Sequence, residues 1–365
     1  MFLRRFLGVV FLLLLCSGAR AAPADPLKTL LVAILTNAPS AWVDCEGGFD
    51  VKELQSGKVL RFKEAVKISP ESQVFRLPVR VTSRVKGRFL TVNTLRYRGA
   101  LIIRKASKGG VHVIDDIELD DYVKGILPRE AGAGWPSEAL KSQAVASRTF
   151  ALRSLGRHAS EGYDLCSTVH CQVFGGLESE DERTNRAVAD THNEILLYKG
   201  NPAGTFFFSN CGGRTLDPVD VWERSENVPY LRSIRCDFCR SAPHHFWENT
   251  VSAEDIAAAL IRARIVVVPP LKSIRVSAGN VLIRYGTGQV KLRAARFRAM
   301  LGANIIRSAH IDKVKRSGGG FVFSGRGWGH GVGMCQEGAK GKAEKGAGYA
   351  KILKFYYPGA KLEKF

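Results

Sequence analysis

The sequence predicts an α+β fold, and three observations carry that expectation. Between Val51 and Val113 short β-branched and aromatic runs (KVLRF, VFRLPVRVT, RFLTVNTLRYRGALIIRK, GVHVI) alternate with Gly, Ser, Pro and Lys, the pattern of antiparallel strands. From Ile117 to Leu155 the apolar spacing changes to a helical period. Beyond Glu180, short strand and helix patterns are mixed rather than segregated. The expected organisation is a leader over 1–21, a β-rich N-terminal lobe over 22–94, and a mixed α/β core over 95–365 built on a helix-elbow-helix.

The first 21 residues place Arg4 and Arg5 ahead of the apolar run Phe6–Cys16, followed by the small-x-small signal Ala19-Arg20-Ala21. This is an export signal, too short to span a membrane. Leu15 precedes Cys16 where lipidation needs a small residue. No later stretch is apolar and long enough to span, so no transmembrane helix is expected after cleavage. LKTLLVAIL, at Leu27–Leu35, reads as a first strand.

In the first arm of the central stretch, Leu119, Tyr122, Val123 and Ile126 share a helix face, and Pro128 is expected to end the helix. The elbow follows: Arg129, Glu130, Ala131, Gly132, Ala133, Gly134 and Trp135, with Pro136 expected at the first position of the next helix. In that second arm Leu140, Ala144, Ala151 and Leu155 form an apolar back, with Lys141, Gln143, Ser147 and Arg148 on a polar front. A glutamate between packed helices and beside a tryptophan suits a general acid, because partial burial raises a carboxyl pKa. The same residue types also make an ordinary loop carboxylate.

Cys166, His170 and Cys171 lie within six residues, and His158 supplies a fourth donor for a tetrahedral zinc site. The spacing matches no standard finger, and a disulfide through Cys166 or Cys171 is the competing expectation. Glu180–Thr191 reads as a helix, and EILLYKG with AGTFFFSN as paired strands about Gly200-Asn201. SNCGGRT then ends a strand in a glycine turn that permits close backbone approach. Cys236-x-x-Cys239 reads as a local disulfide, or as a partner for Cys211. A short helix at Ala253–Ala263 precedes a hairpin and helix over Ser273–Gly302. The final block runs from the strand FVFSG through the glycine-rich GRGWGHGVG to a helical MCQEGAKGKAEKG. Its glycines fail the dinucleotide phasing; they allow main chain and His330 to approach a ligand, with Trp328 offering an aromatic face.

The 54 Lys and Arg outnumber the 34 Asp and Glu, for a net charge of +20. Losing Arg4, Arg5 and Arg20 with the leader lowers this by three, to +17. Such a field favours polyanions. Outside the cytoplasm these are wall polymers, stem-peptide carboxylates and lipid head groups, so nucleic acid is excluded as a partner. The 344 residues left after cleavage suffice for a sizeable core in two lobes. Seven cysteines remain, an odd number, which leaves at least one thiol free or metal-bound.

Three blocks in order resemble the SpoIID/LytB family of bacterial cell-wall proteins: LDDYVKGILPREAGAGWPSEALKSQAVASRTFAL, FFFSNCGGRT, and GRGWGHGVGMCQEGAKGKAEKGAGYAKILKFYYPGAKL. The resemblance runs from about Leu95 to the C-terminus, so 95–365 becomes the expected catalytic domain. It implies lytic transglycosylase chemistry on peptidoglycan glycan strands from which stem peptides have been removed, with an amidase as partner. Glu130 matches the catalytic glutamate. Gln143, Arg148, Ser209, Asn210, Arg214, Trp328 and His330 are the expected substrate-binding groups. No cofactor is required for the chemistry; zinc at His158, Cys166, His170 and Cys171 would be structural, as in some relatives. Ala131 replaces the usual Met after the catalytic Glu, and Cys335 replaces the usual Ser. Cys335 opens a second reading, a cysteine hydrolase with His330 as base; a third is a non-catalytic wall binder that enhances an amidase.

Overall fold

A computed structural model describes residues 29–365, so the expected export signal and the start of the following link lie outside the described residues. The architecture is α+β, with helices and six sheets distributed along the chain. The largest sheet has seven strands. Its second and third strands are the antiparallel pair Thr29–Ala38 and Val111–Glu118, in which Thr29 lies opposite Glu118. The expected first strand therefore pairs with the strand that leads directly into α1 (Leu119–Glu130).

After α1 come α2 (Ser137–Arg153), α3 (Glu182–Asp190), α4 (Pro218–Val221), α5 (Ala253–Arg262), α6 (Ala294–Leu301), α7 (Gln336–Glu344) and α8 (Tyr349–Tyr356). Three apolar cores organise them. The first joins the large sheet to α1 and to one side of α2, through Leu140, Ala144 and Ala151. The second takes the other side of α2, through Val145 and Ala146, and packs it against α7 and α8. The third lies between Trp247 and Phe323. Helix α2 is thus wrapped on both sides.

That wrapping corrects the expectation of a polar front on α2. Of that front Gln143, Ser147 and Arg148 are buried, as are Ser142 and Thr149, while Lys141 is half-buried and paired with Glu138 and Asp190; Leu155 lies beyond the helix end. Pro128 does not end α1, which runs to Glu130. A proline removes only its own N–H; the ladder resumes beyond it, with Ala131 N–H donating to Leu127 O at 2.9 Å. Pro136 stands one residue earlier than expected, as the N-cap, and its carbonyl accepts from Ala139 and Leu140. Strand Glu194–Tyr198 pairs with Asn201–Pro202 as expected, but Phe207–Phe208 turns away and pairs in parallel with Met334–Cys335. This pairing brings the SNCGGRT block and the final glycine-rich block together. No helix among the described residues is long and apolar enough to cross a membrane.

Candidate functional site

Glu130 is the last residue of α1, held in place by the buried Leu119, Tyr122, Val123, Ile126 and Leu127. The elbow beyond it is shaped by Trp135. Its indole packs so closely on Gly132 that a Cβ there would sit 2.8 Å from Nε1, so the elbow has no room for a side chain at that position. Lys340 of α7 lies over the same indole, 5.8 Å from the ring centroid. The Glu130 side chain is half-buried, and this burial raises its pKa above the ordinary carboxyl value, with the Val173 main chain drawing it weakly the other way. Such a group keeps its proton to higher pH than a free glutamate.

Beneath the elbow runs a buried polar network. Gln336, the first residue of α7, donates Nε2 to Glu130 O at 3.0 Å and lies 3.4 Å from Gln143 Oε1. Gln143 donates to Ser147 Oγ at 3.1 Å. On the other side Tyr122 OH donates to Gln172 Oε1 at 3.3 Å, and Gln172 Nε2 donates to Ser147 O at 3.5 Å. Two glutamines from distant segments, one in a loop and one at the start of α7, therefore converge on the helices that flank the acid. Gln336 was not identifiable from its own sequence context. The signal lies in a repeated dipeptide, Cys171-Gln172 and Cys335-Gln336.

The expected substrate-binding residues separate into two groups. Gln143 and Arg148 are buried and have no surface to offer a sugar. The Arg148 guanidinium pairs with Asp120 at 2.7 Å and donates to Glu194 O at 3.0 Å and Val188 O at 3.3 Å, so it ties α1, α2 and α3 together. Asn210 is also buried: its side chain accepts from Gly212 N–H and donates to Cys239 O, which makes it a turn-former. His330 sits among Phe206, Phe208 and Trp222, with Nε2 3.0 Å from Phe207 O and Nδ1 accepting from Val332 N–H. Burial pushes its pKa down to about 4. Arg148, Asn210 and His330 hold main chain, and Gln143 holds the side chains of Ser147 and Gln336. Burial of Gln143, Arg148 and Asn210 corrects the expectation of direct contact for those three, while both ring nitrogens of the half-buried His330 are committed to main chain.

Ser209, Arg214 and Trp328 retain access. Ser209 and Trp328 are half-buried. Arg307 lies 4.9 Å over the Trp328 ring, and His244 meets it edge-on at 4.4 Å. Arg214 is exposed and lines a concavity of about 330 Å³ with Arg235, Asp237, Arg240 and Arg326; Asp237 pairs with Arg235 and Arg240, and Asp312 with Arg326, so those three arginines are already engaged by carboxylates. A larger cavity of about 620 Å³, lined by Leu216, Asn280 and Arg293 among others, includes none of the elbow residues.

His158, Cys166, His170 and Cys171 come together with one donor atom each, all within 4.8 Å of one another. Cys171 Sγ lies 3.5 Å from His158 Nε2 and 3.6 Å from His170 Nδ1, and Cys166 Sγ lies 3.8 Å from His170 Nδ1. A tetrahedral zinc site has S···N edges of about 3.6 Å, so donor set and spacing both fit. His158 Nδ1 meets Glu161 Oε1 at 3.2 Å, the outer carboxylate contact common for a ligating imidazole.

All seven described cysteines are free, which corrects the expectation of disulfides at Cys236-x-x-Cys239 and Cys211. Cys335 is wholly buried, far from the exposure a nucleophile needs, and burial raises its thiol well above the ordinary value. Both of the ring nitrogens of His330 are engaged by main chain, so the cysteine-hydrolase arrangement is absent.

The SpoIID (stage II sporulation protein) family model matches residues 107–198, which include the elbow and the Cys/His cluster. An uncharacterised protein of Brachyspira hyodysenteriae is 34% identical over 280 residues, covering 74% of this chain and 73% of that protein. The amidase enhancer of Bacillus subtilis is 31% identical over 299 residues; the match covers 67% of this chain but 40% of the enhancer. Stage II sporulation protein D of Bacillus amyloliquefaciens is 29% identical over 276 residues, 69% of this chain and 76% of that protein. This chain belongs to the SpoIID/LytB family.

Proposed function

We propose that the protein is an exported or wall-associated lytic transglycosylase that cleaves the N-acetylmuramic acid to N-acetylglucosamine bond of peptidoglycan. The observation that carries this reading is the Glu130 carboxyl, half-buried at a rigid elbow and raised in pKa. Protonated, it gives its proton to the leaving glycosidic oxygen as the C1–O bond breaks, leaving oxocarbenium character at C1. As carboxylate it then takes the proton from the muramoyl C6 hydroxyl while that oxygen closes on C1. The product is a 1,6-anhydro sugar and no water is consumed, so one carboxyl serves where a hydrolase needs two.

Gln336, Gln143 and Gln172 fix the backbone that carries the acid, the condition for positional catalysis. Ser209, Arg214 and Trp328 are the groups left to meet the glycan. Arg214 suits a carboxylate, including the lactyl carboxylate that becomes free when a stem peptide is removed. His158, Cys166, His170 and Cys171 would hold a zinc ion, whose closed coordination would supply stability rather than Lewis acidity. Cys171 leads directly into Gln172 and Val173, so that ion would pin the segment on which Glu130 leans.

Zymography on peptidoglycan tests the reading: clearing by the protein and none by Glu130→Gln is expected. A second reading, enhancement of an amidase without chemistry, is favoured by the name of the Bacillus subtilis relative. It predicts no clearing by this protein alone and faster clearing by an added amidase with either variant.

A further inference from the structure

Four cysteines outside the Cys/His cluster converge on one point. Cys335 ends a strand and Cys211 follows the strand paired to it, and Cys236-x-x-Cys239 closes over both from a loop. Each is at most 1% exposed, and all four Sγ atoms lie within 4.8 Å of one another. Cys211 Sγ and Cys239 Sγ are 3.4 Å apart. A disulfide is about 2.05 Å long and pairs sulfurs in twos. A tetrahedral tetrathiolate zinc site groups four, with edges of about 3.8 Å.

The surroundings suit a negatively charged centre. Main-chain N–H groups of Cys211 and Gly338 both donate to Cys335 Sγ at 3.2 Å. Tyr356 OH lies 3.1 Å from Cys236 Sγ, and His245 Nδ1 lies 3.8 Å from Cys239 Sγ. The Lys342 ammonium stacks between Phe238 and Phe355, at 4.2 and 4.0 Å, on the helix that Cys335 caps. Gly338 gives the sulfurs room: a Cβ there would sit 2.7 Å from Cys236 Sγ. N–H and O–H donors aimed at sulfur, with a cation close by, are the outer groups that orient and stabilise thiolate ligands.

We infer that Cys211, Cys236, Cys239 and Cys335 form a structural metal site for a single tetrahedral divalent ion of the zinc type, distinct from the Cys/His cluster. Its role follows from the next residue. Cys335 caps α7, and Gln336 begins it, so an ion here locks the helix start from which Gln336 reaches Glu130 O. The acid would then be braced from both sides by metal-held loops, one ending in Cys171-Gln172 and the other in Cys335-Gln336.

The test measures bound metal by native mass spectrometry and elemental analysis on full-length mature protein purified with and without reductant. Two zinc equivalents per chain are expected, with one lost in Cys239→Ser and the other lost in His158→Ala. The cobalt-substituted His158→Ala variant should show the visible bands of tetrahedral tetrathiolate cobalt. Because Cys239→Ser can fail to fold, the wild type is also alkylated under denaturing, non-reducing conditions and mapped. Four alkylated thiols at these positions in metal-stripped protein support the site. Disulfides among them, or one zinc equivalent that is lost entirely in His158→Ala, would overturn it.

Discussion

Gln336 donates Nε2 to the main-chain oxygen of Glu130 across 3.0 Å, joining two residues 206 positions apart in the chain. The bond reaches backbone rather than carboxyl, so it fixes where the acid stands without neutralising it. Gln336→Ala should leave that carbonyl and Gln143 Oε1 short of a donor. A loss of about 1–3 kcal/mol of stability is expected, with a fall in kcat larger than any rise in KM. Urea unfolding and the rate of glycan product release check both; unchanged kcat would remove Gln336 from the account.

Arg148 makes the opposite point, since it is wholly buried and its guanidinium is committed to Asp120 and two main-chain oxygens. Arg148→Met should destabilise by about 3–5 kcal/mol, because Asp120 keeps only its contact with His192. Arg148→Lys should not rescue it, as one ammonium cannot reproduce the fork. Chemical denaturation measures this, and a loss under about 1 kcal/mol would contradict it.

Asp115 lies wholly buried under Gly99, and burial, with the Asp116 charge second, pushes its pKa up to about 8. An acid whose folded pKa lies above its unfolded value contributes fully below the unfolded value, near 3.8, and loses that contribution as pH rises through about 8. Asp115→Asn should therefore raise stability above neutrality, by on the order of 1–3 kcal/mol, and do little near pH 4. Melting curves at the two pH values check the sign.

Glu161 contacts the free nitrogen of His158 from outside the Cys/His cluster. Glu161→Ala should weaken zinc binding about 10–100-fold while leaving the four donors in place. Competition with a chromogenic chelator reads this directly, and unaltered affinity would argue against zinc there.

The strand runs before the elbow and the two helices flanking Glu130 were legible because period is a local signal, whereas proline placement misled by a residue or two at each helix end. The burial of Arg148 was not legible. Its helix is packed on a second side by α7 and α8, elements nearly 200 residues downstream, and one-sided amphipathicity is the wrong prior for a helix between two cores. The Cys/His donors are close enough in sequence to be grouped as a candidate site beside a competing disulfide, whereas the four-cysteine cluster depends on the parallel pairing of Phe207–Phe208 with Met334–Cys335. Long-range parallel pairing leaves no mark in a local pattern, so Cys236-x-x-Cys239 read as a disulfide.

The central claim is tested most directly by mass spectrometry of the glycan released when the mature protein and its Glu130→Gln variant act on intact and peptide-stripped peptidoglycan. The account predicts 1,6-anhydromuramoyl ends from the wild type on stripped strands and none from the variant. Reducing ends, or equal products from both proteins, would contradict it.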